Sequence, residues 1–148
     1  MNWHIKTFEE LTNEELYGIL KARVDVFVVE QKCPYEEIDN IDQKAIHYFA
    51  ESNGNIAALV RILPKNTTYE EVAIGRVLVA EEFRGTGLGR ILMERAISFV
   101  QDEWNEKEIK IQAQTYLQAF YESLGFKQVS EVYEEDQIPH IDMLLQTK

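Results

Sequence analysis

Cysteine is almost absent. Cys33 is the one thiol in 148 residues, which excludes an intramolecular disulfide framework and any zinc site built from several thiolates. Histidine is scarce too: His4, His47 and His140 stand far apart, no HExxH-type spacing joins them, and no metal is expected. Three prolines and seven glycines are too few and too scattered to mark a linker, so the chain reads as one domain over residues 1–148. Positive charge is short: 15 Lys and Arg against 26 Asp and Glu leave a formal charge of −11. That deficit works against nucleic-acid binding, which needs a basic footprint, and it suits a cationic partner. No apolar run approaches the roughly 20 residues of a membrane-spanning helix. The opening Met1-Asn2-Trp3-His4-Ile5-Lys6 lacks the charged and then apolar stretch of a signal peptide, so a cytoplasmic setting is expected. What is left is ordinary for a globular protein, with 45% hydrophobic and 11% aromatic residues, enough for a core of its own.

The pattern along the chain alternates strand and helix. Trp3 to Phe8 reads as a strand. Thr12-Asn13-Glu14-Glu15 has the form of a capping box, in which hydroxyl and carboxylate satisfy free backbone N–H groups. Leu16, Ile19, Leu20, Val24, Phe27 and Val28 follow at helical spacing, so a helix is expected over Asn13 to Val28. Glu30 to Ala45 holds Pro34, several acids and no clean period, and reads as a long loop with a short helix; such connections are often functional. His47 to Ser52, the turn Asn53-Gly54-Asn55 and Ile56 to Leu63 form a hairpin. Val72 to Ala80 is a further strand. Leu88, Leu92, Ala96, Val100 and Trp104 then make an i, i+4 stripe, widened by Ile91, Met93, Ile97 and Phe99, for a helix packed on a sheet. Ile109 to Ala113 is a strand, Leu117 to Leu124 a short helix closed by Gly125, and Lys127 to Glu134 and Ile138 to Leu145 are the last strands. The sum is a mixed α/β domain around one central sheet.

Between Val72–Ala80 and the long helix lies Arg84-Gly85-Thr86-Gly87-Leu88-Gly89. A glycine turn at a helix N-terminus offers several backbone N–H groups with no Cβ in the way, and Arg84 adds a full charge, so a phosphate or pyrophosphate is the fitting ligand. No Gly-Lys-Ser/Thr follows, and the glycines neither match GxGxxG nor follow the first strand, which rules out a Walker loop and a Rossmann unit.

The spacing Arg84-x-x-Gly87-x-Gly89 after Val77-Leu78-Val79 resembles the acyl-CoA motif of the GNAT family of acetyl-CoA-dependent N-acetyltransferases. Tyr116 to Phe126, ending in Leu-Gly-Phe, resembles that family's second signature, and the element order matches its fold. Val26 to Tyr35, with Asp39 and Asp42, and Glu131 to Ile141 are similar to the ElaA-type branch of the family.

The resemblance implies a central, mixed but mostly antiparallel sheet whose fourth and fifth strands splay apart, flanked by helices. Acetyl-CoA is then the co-substrate. Its pantetheine arm would lie against the backbone of Val77, Leu78 and Val79, its pyrophosphate on Arg84, Gly85, Thr86, Gly87, Leu88 and Gly89 with Arg90 at the rim, and Gln114, Phe120 and Tyr121 beside it. Transfer would be direct, to an amine-bearing acceptor. One backbone N–H would hold the oxyanion of the tetrahedral intermediate. Tyr121 would protonate the departing thiolate, with Tyr116 a weaker candidate. The glutamate that some members carry ahead of the Val-x-Val region is Ala73 here, so the amine's proton would leave through water aided by Glu30, His140 or a loop acid. Glu30, Gln31, Tyr35, Asp39, Arg61, Arg76 and His140 would surround the acceptor. The acids Glu36 to Asp42 and Glu134-Glu135-Asp136 would attract a cation. Arg61 and Arg76, set within strands, either pair with those acids or bind a carboxylate of the acceptor. Cys33 has no neighbour in sequence that would lower its pKa for nucleophilic work. A non-catalytic acyl-CoA-binding domain is the alternative to an enzyme, and the oligomeric state stays open, a homodimer included.

Overall fold

The computed structural model describes residues 1–147. It contains strand β1 (Asn2–Thr7), helix α1 (Asn13–Arg23), a π-helical segment (Val24–Glu30), β2 (Ile46–Ser52), β3 (Asn55–Leu63), β4 (Val72–Val79), α2 (Leu88–Asp102), β5 (Glu108–Gln114), α3 (Gln118–Ser123), β6 (Lys127–Gln128), β7 (Tyr133–Glu135) and β8 (Ile138–Gln146). The strands form one sheet in the order β1-β2-β3-β4-β5-β8-β6, with β7 also on β8. Every neighbouring pair is antiparallel except β4 and β5, which run parallel.

Helices cover both faces. On one, Leu88, Leu92, Met93, Ala96 and Val100 of α2 pack with Tyr48, Ala58, Val60 and Ile62 of the sheet. On the other, Ile19 of α1 packs with Phe49, Leu59 and Leu78. Central β3 is therefore buried along almost its whole length, which is why it reads as an unbroken apolar run. The capping box forms as expected: Thr12 Oγ1 accepts from Glu15 N at 3.1 Å and Glu15 Oε1 accepts from Thr12 N at 2.9 Å. Among the described residues no helix is long and apolar enough to cross a membrane.

Two expected elements change. The first helix is α-helical only to Arg23; from there to Glu30 the chain widens into a π-helix, with Gln31 N bonded to Val26 O at 3.2 Å. The strand expected over Lys127 to Glu134 splits into β6 and β7. Ser130 Oγ accepts the N–H of Asp142 at 2.8 Å, which takes that donor out of the ladder.

The sheet has two irregularities that matter. β4 and β5 pair only at Val72–Ile109 and Ala73–Lys110, then part. On its other edge β4 bulges: Arg61 faces Gly75 while Leu59 faces Leu78, so β4 carries one residue more than β3 over that stretch. Arg76 sits in the bulge with φ 50°, in the left-handed region.

Candidate active site

Where β4 and β5 part, the edge of β4 beyond Ala73 has no strand beside it, and a cleft of about 640 Å³ opens. The strand from Ile74 to Val79 lines one wall, Ile111 to Gln114 the other. Phe120 and Tyr121 of α3, Arg84 and Gly89 of the glycine turn, and His140 of β8 also border it. Val26, Phe27, Glu30 and Gln31 close it from the π-helix side.

The glycine turn sits at one end. Gly85 (φ 78°) and Gly87 (φ 84°) are both left-handed, and Gly87 is the residue from which α2 starts. A Cβ at either would meet nothing within 4 Å, so the backbone angle, not crowding, calls for glycine. No side chain caps α2, and the N–H groups of its first turn are left for an anion. Arg84 lies alongside. Its Nε donates to Val79 O at 3.0 Å and its Nη2 to Glu30 Oε2 at 3.1 Å, and Nη1 bonds the second oxygen of Glu30. The guanidinium holds the Glu30 carboxyl below the usual carboxylate range, which makes Glu30 a poor base in this arrangement. Thr86 Oγ1 donates to Phe83 O at 2.5 Å, and Arg90 bonds Ser123 while lying over the Phe120 ring at 5.8 Å.

Tyr121 is buried edge-on between Phe120 (5.2 Å) and Phe126 (6.0 Å). Burial pushes its hydroxyl up to about 12, so it keeps its proton throughout the neutral range. Tyr116 stands at the rim, largely exposed. Across the cleft Gln114 Nε2 donates to Gln31 Oε1 at 3.3 Å, bridging β5 to the loop. His140 lies opposite Gln114 in register, stacked on Tyr133. Its Nδ1–H donates to Ile138 O at 2.7 Å, because a carbonyl can only accept. In the neutral ring Nε2 is then the nitrogen with the lone pair, and it has no hydrogen-bond partner among the described residues. Cys33 borders the cleft but is buried, and burial pushes its thiol up, against the thiolate that a nucleophile needs.

The arginines expected around the acceptor have partners. Arg61 Nη1 donates to Asp39 Oδ1 at 2.9 Å and to Asp42 Oδ1 at 3.0 Å. Arg76 Nε donates to Glu37 Oε2 at 2.6 Å and its Nη2 to Asp39 Oδ2 at 3.2 Å. Arg23, fully buried at the end of α1, donates to Glu37 Oε2 at 2.7 Å and Asp42 Oδ1 at 2.6 Å. Tyr35 donates its hydroxyl to Glu37 and lies 5.6 Å beneath the Arg76 guanidinium. Burial alone would raise Asp39 and Asp42, but the arginines outweigh it and hold both below the carboxylate range. Three guanidinium groups and three carboxylates thus balance, and they pin loop 31–45 against α1, β3 and β4. Of the pair of roles open to Arg61 and Arg76, the geometry realises the pairing with loop acids. Asp39 and Arg61 do not border the cleft, whereas Tyr35, Arg76, Gln31 and His140 line it.

Reading the sequence missed Arg23 and the place of Val26 and Phe27 on the cleft wall, and it set Glu37 among acids open to a cation, whereas Glu37 is paired with Arg23 and Arg76. Arg23 follows the helix period and carries no mark of burial; only the acids 14 and 19 positions later, folded over it, account for it.

The chain has clear relatives. Residues 9–147 match the family described as Acetyltransferase (GNAT) domain. The protein ElaA of Escherichia coli K12 is 42% identical over 145 residues, covering 97% of this chain and 95% of that protein. The crystal structure of an acyl-CoA N-acyltransferase from Pseudomonas aeruginosa superposes with a TM-score of 0.93 at 42% identity, over 98% of this chain and 99% of that one. The crystal structure of E. coli ElaA gives 0.92 at 40%, over 99% and 100%. The parted parallel strands, the glycine turn opening α2 and these likenesses lead to one assignment: the chain belongs to the GNAT family of acyltransferase enzymes, with ElaA among its relatives.

Proposed function

We propose that this protein moves the acetyl group of acetyl-CoA directly to a primary amine on a cationic acceptor. The observation that carries the reading is the cleft between β4 and β5. It joins an uncapped helix N-terminus at one end to a buried, protonated tyrosine along its wall. Arg84 and the N–H groups of the turn bind the pyrophosphate, with Arg90 at the rim. The free edge of β4 from Val77 to Val79 pairs with the pantetheine amides, and one of its N–H groups holds the oxyanion.

The amine nitrogen attacks the thioester carbonyl carbon and the C–S bond breaks. Tyr121 gives its proton to the departing thiolate, and a hydroxyl pushed up to about 12 is in the right state to do so. The proton lost by the amine passes to Nε2 of the neutral His140 ring, whose Nδ1–H is held by the Ile138 carbonyl.

The acceptor's charge follows from which side chains are already occupied. Arg76 and Arg84 are the arginines lining the cleft, and both are paired. Glu36, Glu135 and Asp136 line it as well, with no salt bridge to another described residue. An ammonium is attracted there and a carboxylate is repelled, so amines without an adjacent carboxylate are favoured over amino acids. Thiol release from acetyl-CoA is the test, against polyamines, aminoglycosides, amino acids and short peptides. Turnover with polyamines or basic peptides supports the reading. Bound acetyl-CoA with no turnover across the panel favours a domain that binds acyl-CoA without catalysis.

A further inference from the structure

Glu30 and Arg84 are 54 positions apart and meet at the cleft as a two-pronged pair. The contact is unusual on both sides. Glu30 is the last residue of a seven-residue π-helix, a rare form that concentrates at functional sites. Arg84 is held in place independently of Glu30, because its Nε is bonded to Val79 O at the end of β4. Glu30 also borders a second groove, outside the acyl cleft, shared with Glu14, Glu81 and Glu82. Its carboxylate therefore stands between a phosphate-binding turn and acidic surface, and Arg84 is its cation.

Resting on the acetyl-CoA reading above, we propose that Glu30 selects the cationic acceptor and that Arg84 holds it until acyl-CoA arrives. Pyrophosphate and Glu30 compete for one guanidinium. A carboxylate left beside the pyrophosphate without its cation is repelled by it, and it recovers a partner only by binding the acceptor's ammonium. Each substrate thereby favours the other: the phosphates free the carboxylate, and the ammonium keeps it away from Arg84. Val26 and Leu78 border both the cleft and the second groove, so the freed side chain stays at the junction of the two.

The prediction has opposite signs for the two substrates. In calorimetry, Glu30→Gln binds acetyl-CoA about two- to fivefold more tightly than wild type, the range expected for an exposed pair. ADP, which carries the pyrophosphate without the acyl arm, gains by the same factor. In an Arg84→Ala background the same substitution brings no gain. For an amine turned over in the panel above, Glu30→Gln raises KM about fivefold. A merely structural Glu30 would weaken both substrates or neither. Unchanged or weaker acetyl-CoA binding in Glu30→Gln, or an equal gain with and without Arg84, overturns the proposal. Wild type that binds no acetyl-CoA removes the functional reading itself, and is told apart by failing before any variant is compared.

Discussion

Arg76 Nε lies 2.6 Å from the Glu37 carboxylate while Arg76 itself holds a left-handed backbone inside β4. One residue thus ties loop 31–45, which helps to wall the cleft, to the bulge in β4. A non-glycine side chain costs about 1 kcal/mol in that conformation, and the ion pairs offset it. Arg76→Gly relieves the backbone and loses the pairs; Arg76→Ala loses the pairs and keeps the strain. Urea unfolding is expected to place both below wild type, with the alanine variant about 1 kcal/mol below the glycine one. Equal stability of the two would mean that the bulge is not strained.

Arg23 gives a larger effect. It is fully buried and is bonded to two carboxylates that have no water to turn to. Removing it leaves three buried or half-buried carboxylates, Glu37, Asp39 and Asp42, to the two guanidinium groups of Arg61 and Arg76, and one uncompensated buried charge costs about 3–5 kcal/mol. Arg23→Met is expected to lower stability by that amount. Arg84→Ala, which breaks an exposed pair, should lie within about 1 kcal/mol of wild type.

Stability should fall in two steps as pH drops. His47 is buried, and burial lowers its pKa below the ordinary value, so the unfolded chain takes up a proton that the folded one refuses. That contribution is present above about 6.5 and is lost as pH falls through the lowered folded value. Asp39 and Asp42 are also lowered, so theirs is present above about 3.9 and is lost below it. Denaturation followed from pH 8 to pH 3 should show both steps, and His47→Gln should remove the upper one alone.

Tyr121→Phe should lower kcat about 100-fold and leave acetyl-CoA affinity within twofold, since in the proposed reaction the hydroxyl acts only on the leaving thiolate. The hydroxyl rises to about 12, so no loss of activity tied to Tyr121 is expected between pH 7 and pH 10. A kcat unchanged in the phenylalanine variant would take Tyr121 out of the reaction.

The order of strands and the turn that opens α2 were legible because each has a local cause: alternation and apolar runs for strands, glycines that permit positive φ before a helix. The π-helical segment was not. Val24, Val26, Phe27, Val28 and Val29 are apolar whichever hydrogen-bond step the helix takes, so their spacing does not separate a π-helix from an α-helix. The roles of Arg61 and Arg76 were left between two options by position in strands alone. Their partners Glu37, Asp39 and Asp42 lie in a loop with no period, so pairing emerges only when that loop folds back. The break between β6 and β7 depends on one serine hydroxyl meeting a backbone N–H of β8, a contact with no local signature.

The central claim is that acyl-CoA lies along the free edge of β4 with its phosphates on the turn at Arg84 to Gly89. A titration of ¹⁵N-labelled protein with acetyl-CoA, followed amide by amide, tests it most directly. The expected result is saturable shifts at Gly85, Gly87, Leu88, Gly89 and Arg90, together with Val77, Leu78 and Val79, and little change along β1 and β2. Shifts confined to another face, or none at all with folded protein and excess acetyl-CoA, would contradict it.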